Sequence, residues 1–82
     1  MFPNDETANL NAANAAIRRD NFDDARKYLR KAGDSAEAFY ARGALAIREK
    51  NYELARVHLN RAKDLGLVQA ELVLTELAKR EE

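Results

Sequence analysis

A chain of 82 residues allows one domain with a modest core, because at this size only about 60% of the unfolded surface is buried. Lys plus Arg equals Asp plus Glu at 14 each, so the basic surplus that nucleic-acid binding needs is missing, and a local patch is all that could replace it. There is no cysteine, which excludes disulfides, thiolate metal sites and thiol nucleophiles.

The opening Met1–Asp5 reads as an entry segment, with Pro3 and Asn4 favouring a turn and Asn4 or Asp5 able to cap the first helix. It lacks the basic region and apolar run of a secretory signal. That first, alanine-rich helix is expected over 6–19, then a bend at Asn21 and a second helix over 22–33. Asp23 and Asp24 sit in the second helix's first turn, where carboxylates favour the positive end of the helix dipole. Lys31 suits the other end, and Gly33 is a good stop. Asp34 followed by Glu37 resembles a capping box and predicts a third helix over 35–50. Asn51 caps a fourth over 52–65, Gly66 ends it, and a fifth runs over 67–79. No linker, low-complexity tract or second domain interrupts the series.

The strongest organising feature is an internal repeat. Asp-Asn-Phe-Asp-Asp-Ala at 20–25 answers Lys-Asn-Tyr-Glu-Leu-Ala at 50–55, and Leu29 and Ala32 answer Leu59 and Ala62 at the same offset of 30 residues. Ala13 occupies the place of Gly43, and Ala25 that of Ala55. Small residues at Gly43, Ala55 and Ala62 let two helix backbones approach, while Phe39, Tyr52 and Leu59 fill the space around them.

Phe39, Gly43, Tyr52, Ala55, Leu59 and Ala62 fall at the signature spacings of a tetratricopeptide repeat (TPR), which this chain resembles over roughly residues 6–66. The period is shorter than the ~34 residues of that family, and the deficit falls at Gly33–Ser35. Asn9 stands where the second unit has Phe39, and Arg42 where a leucine is common. The resemblance implies an all-α, right-handed superhelical array of antiparallel helix hairpins. One domain over 1–82 would hold units 6–35 and 36–66 plus a capping helix at 67–79, either alone or as part of a larger protein.

It also implies a binding scaffold without catalysis or cofactor. In the family the first helix of each unit lines a concave groove. Carried over residue by residue, this places Leu10, Asn14, Ile17 and Arg18 beside Tyr40, Ala44, Ile47 and Arg48. Leu10 and Ile17, like Tyr40 and Ile47, lie seven residues apart and so share a helix face. The expectation is an apolar strip edged by Arg18 and Arg48 that receives a protein or peptide segment. Asn14 stands where peptide-binding members carry a backbone-clamping asparagine. Leu10 replaces the lysine of carboxylate-binding members. The competing placement packs Leu10, Ile17 and Ile47 between adjacent helices.

In the fifth helix, Leu67, Ala70, Val73, Leu74 and Leu77 form an arc able to cover the preceding hairpin. Val68 and Leu72 point away from its centre. They suggest the alternative function, a homo-oligomerisation or interdomain assembly module acting through this helix, with a weak homodimer as its simplest form. Two scattered surface aliphatics are the plainer explanation.

Residues suited to chemistry are few. His58, the only histidine, adjoins Leu59 and is expected at an edge or on the surface. The paired acids Asp23–Asp24 and Glu81–Glu82 read as a helix start and a solvated tail. The three glycines are too scattered for a phosphate loop. No nucleophile, base and orienting group assemble, so no enzyme is expected. No segment approaches the ~20 apolar residues of a membrane span. The expectation is therefore a soluble chain without membrane insertion, cytoplasmic by default, or periplasmic if it comes from a bacterial cell-envelope protein.

Overall fold

A computed structural model describes residues 5–80 and contains five helices, α1 Glu6–Arg18, α2 Phe22–Lys31, α3 Ala36–Arg48, α4 Tyr52–Asp64 and α5 Val68–Arg80. Among the described residues there is no strand. The turn expected at Pro3–Asn4 and the acids Glu81 and Glu82 lie outside them.

The helix starts arise from local chemistry. The Asp5 carboxylate accepts the Thr7 N–H at 2.9 Å and the Ala8 N–H at 3.4 Å, satisfying donors that α1 itself leaves open. Asn51 Oδ1 accepts the Leu54 N–H at 3.3 Å and caps α4. The start of α3 differs from expectation. Its cap is Ser35, whose hydroxyl accepts the Ala38 N–H at 3.1 Å, while Asp34 turns instead to Arg42. A hydroxyl one residue later reaches the first open turn, so Asp34–Glu37 is not the capping pair. Asn21 precedes α2 without capping its backbone; its amide donates to Asp24 Oδ2 at 2.8 Å.

Both hairpin turns close in the same way. The Asn21 N–H donates to Ala16 O and the Asn51 N–H to Ala46 O, each at 2.8 Å, while Asp20 and Lys50 donate to Ile17 O and Ile47 O. These are the paired bonds of a Schellman turn, and they require a left-handed residue at the reversal. Asp20 and Lys50 supply it with φ of 60° and 63°. The end of α4 repeats the pattern, with Leu67 donating to Ala62 O and Gly66 at φ 103°.

The 30-residue offset is also an offset in burial. Ala25 and Ala55 are both fully buried, Leu29 and Leu59 nearly so, and Ala32 and Ala62 likewise. Ten of the fifteen buried hydrophobics are alanine, which lets helices pack closely but limits the apolar area removed from water. A Cβ on Gly43 would lie 2.7 Å from Leu59 Cγ, so α3 and α4 meet where no side chain fits.

One cluster forms around Ala13, Ile17, Leu29 and Leu45, and a second around Ala46, Leu59, Ala62 and Leu77. The helix α3 contributes to both. It pairs with α4 and also packs on α1 and α2, whereas α5 leans on α4. The Cα envelope measures 45 × 26 × 15 Å. Its depth suits two helix layers with axes about 8–10 Å apart.

Arg42, standing where a leucine would be usual, joins the units. Its guanidinium donates to Leu29 O at 3.0 Å and Gly33 O at 2.7 Å. These are carbonyls at the C-terminal end of α2, where a cation is favoured.

Candidate functional site

Because α5 leans on α4, it parts from α3 and leaves a cleft of about 210 Å³. Tyr40, Ala44, Ile47 and Arg48 line it from α3, with Leu59 and Val73 from the neighbouring helices. All four groove residues named for the second unit thus share one cleft. They recur at three- and four-residue spacing, so helix geometry alone aligns them. Tyr40 and Ile47 are half-buried and packed against the second cluster.

The residues named for the first unit do not join them there. Ile17 is only 4% exposed and belongs to the first core cluster, so it is part of the scaffold rather than a free surface. The equivalent Ile47 stays accessible because α3 packs on α1, whereas α5 does not close on α3 in the same way. Leu10 packs against the first cluster and lines a separate cleft with Glu6, Ala32 and Glu37. Asn14 is half-buried, and Arg18 is exposed at the end of α1.

Arg48 has a partner within the chain. Its guanidinium donates to Asp20 Oδ1 at 3.0 Å, tying the end of α3 to the first hairpin turn. Both side chains are substantially exposed, and such pairs contribute about 0–1 kcal/mol, so a ligand carboxylate can compete with Asp20.

On α5, Val68 and Leu72 are 68% and 65% exposed. At about 100° per residue they lie nearly opposite Ala70 and Leu77, the two buried residues of that helix. Leu65, at the preceding turn, is 54% exposed. Leu54 and Val57 on α4 are exposed as well. No motif marks these two, although both fall outside the Ala55–Leu59–Ala62 stripe, which is the signal that could have found them.

His58 is half-buried, at an edge of the α3–α4 packing. Its ring stacks on Phe39 at 6.1 Å between centroids, and its Nδ1 is buried without a hydrogen-bond partner. Burial, and secondarily the Arg42 charge, hold its pKa below the usual histidine value, so the neutral ring is favoured. An orphaned nitrogen costs less as a bare acceptor than as a buried charged donor.

Among the described residues, no group of three or more His, Cys, Asp or Glu side chains is placed to hold a metal ion. No helix there is long and apolar enough to cross a membrane. Comparison of the chain with protein-family models, curated proteins and solved structures gives no match.

Proposed function

We propose that the chain is a non-enzymatic, TPR-like protein-interaction scaffold whose α3–α5 cleft receives a segment of a protein or peptide partner. The observation that carries this reading is the convergence of Tyr40, Ala44, Ile47 and Arg48 on one open, mainly apolar cleft. Tyr40 offers a flat apolar face with a polar tip, suited to a surface that must be wetted when empty. Arg48 at the cleft favours a segment carrying acidic groups; Arg18 and Asn14, which lie outside the cleft on α1, would be met only by a segment that runs on across that helix. The right-handed superhelical course of the family belongs to the same proposal.

The test compares capture of partners from a native extract by wild type, Tyr40→Ala, Ala44→Arg and the Arg18→Glu/Arg48→Glu double variant. Truncating Tyr40 should weaken capture by about 2 kcal/mol or more. Ala44→Arg should plug the cleft, and the charge reversal should act in a salt-dependent way. Partners retained equally by all four proteins would place the binding surface elsewhere.

The second reading, self-association or interdomain assembly through α5, is favoured by the exposure of Val68 and Leu72 opposite the packed face. Sedimentation over a range of concentrations tests it. A dimer that Val68→Lys/Leu72→Lys converts to monomer without loss of helicity supports it, and a wild type monomeric at high concentration ends it.

A further inference from the structure

Arg42 is a polar tie between the two hairpins. From α3 its guanidinium donates to Leu29 O at 3.0 Å and Gly33 O at 2.7 Å, at the end of α2, and meets Asp34 Oδ1 at 3.3 Å. Its side chain is 19% exposed, whereas that of Asp34 is 84% exposed. The helix α2 packs far more on α1 than on α3, so these bonds are a large share of what ties its end to the second hairpin.

The same guanidinium belongs to an aromatic cluster. It lies 5.0 Å from the centroid of the Phe39 ring, and Arg61 of α4 lies 5.5 Å from that centroid. The His58 ring, also from α4, stacks on Phe39 at 6.1 Å. An aromatic face attracts cations, so two arginines are tolerated there while His58 is neutral. A third charge is not. The His58 Nδ1 is buried without a partner, and an imidazolium N–H at that place would be a buried donor with no acceptor.

The surrounding charges do not favour the protonated ring. The cleft that His58 lines receives Arg26 and Arg30 from α2, and Arg42 and Glu49 from α3. Glu49 is the one acid among the described residues lining it, and Arg26 holds that carboxylate. On α4 itself the neighbouring charge is Arg61, and the α5 acids Glu71 and Glu76 are exposed. Burial first, and then the Arg42 charge, lower the His58 pKa, which is the direction this geometry requires.

We propose that His58, Phe39 and Arg42 form an acid-sensitive latch, in which protonation of His58 drives Arg42 off the end of α2 and loosens the first hairpin from the second. Arg42 is the cation that yields because it is less exposed than Arg61, so its repulsion with the ring is less screened. The exposed Asp34 carboxylate gives it a way out, since the guanidinium can follow Asp34 into water while leaving Leu29 O and Gly33 O. The latch is closed at neutral pH and opens as pH falls through the folded His58 value, below ~6.5. At about 100° per residue Arg42 lies on the opposite side of α3 from Tyr40, Ala44 and Ile47, so the latch does not depend on the function proposed for the α3–α5 cleft.

The test is an NMR titration of the complete chain from about pH 8 to about pH 5, spanning the histidine range. It follows the His58 ring nitrogens and the amides of Arg30 and Asp34, whose peptide groups carry Leu29 O and Gly33 O. The expected result is that both amides shift with the midpoint of the ring, and that this midpoint lies below ~6.5. In His58→Gln the amides should stay flat over that range. In Arg42→Gln the ring midpoint should rise towards ~6.5, because coupling is reciprocal, and the amides should no longer follow it.

A ring that titrates while the Arg30 and Asp34 amides stay flat would overturn the latch, and this wild-type result decides the matter even where a variant fails to fold. A ring midpoint at or above ~6.5 in the wild type would also overturn it. So would an amide inflection that survives either substitution, or a ring midpoint that Arg42→Gln leaves unchanged.

Discussion

The contact of Gly43 with Leu59 allows the packing of α3 on α4 to be tested quantitatively. In Gly43→Ala the added Cβ would meet Leu59 Cγ at 2.7 Å and Cδ2 at 2.9 Å, against the ~3.5–4.0 Å of ordinary carbon contact. Leu59 is 1% exposed, so it cannot swing into solvent. Overpacking of this kind costs about 1–3 kcal/mol. Replacing glycine by alanine inside a helix returns about 1 kcal/mol, leaving a net loss of about 0–2 kcal/mol. Leucine at the same position should cost more.

Leu59→Ala alone should cost about 2–5 kcal/mol through lost burial and the cavity. In the double variant the clash is gone and the new methyl occupies part of that cavity. The pair should therefore be more stable than the sum of the singles by about 1–3 kcal/mol. Urea unfolding followed by circular dichroism, in sucrose-containing buffer to keep the weakest variant folded, gives all four corners of the cycle. Additivity within about 0.5 kcal/mol, or a single Gly43→Ala variant more stable by the full propensity gain, would refute close packing through Gly43.

Lys50 adopts a left-handed conformation and, among the described residues, has no cross-unit ion pair of the kind Asp20 has. Lys50→Gly is expected to raise stability by about 0.5–1 kcal/mol, and a lower melting temperature would contradict the turn geometry. Arg42→Leu, although it restores the usual residue of the resembled repeat, should cost about 1–3 kcal/mol in urea melts, because two carbonyls at the end of α2 lose a charged donor. Equal or greater stability would show that those bonds contribute nothing net. His58, with its folded pKa lowered, takes up a proton more readily when unfolded. Stability should therefore fall as pH drops from about 7 through the unfolded histidine value of ~6.5, levelling once the folded pKa is passed. His58→Gln should flatten that segment of the curve, and an unchanged slope would assign it to other groups.

The helices and their order were legible because local signals agree with one another. The caps at Asp5 and Asn51 act within one turn, and the 30-residue offset shows that the small residues of one hairpin recur in the next. The helix ends were less so. Asp20 and Lys50 close Schellman turns without glycine, so α1 and α3 stop one and two residues earlier than periodicity suggests. Ser35 and Asp34 are both good caps, and only the approach of Arg42 assigns the second to another task.

The site was legible where it depends on one helix and obscure where it depends on three. Tyr40, Ala44, Ile47 and Arg48 share a face by period alone. The equivalence of Ile17 and Ile47 hides the difference in what packs beside them, since α3 covers one and α5 leaves the other open. The part played by Arg42 had no sequence signal of its own. It arises where α3 meets the end of α2 and Arg42 reaches the Leu29 and Gly33 carbonyls, whereas along the chain Arg42 looked only like a departure from a pattern.

The most direct test of the binding-scaffold account is methyl NMR of the chain titrated with a partner segment recovered by capture. Methyl groups report all three exposed apolar surfaces in one spectrum. The account predicts saturating shifts at Ile47 and Val73, which flank the α3–α5 cleft, while Val68 and Leu72 stay unmoved. Shifts confined to Val68 and Leu72, or to Leu54 and Val57, with Ile47 unmoved, would contradict it.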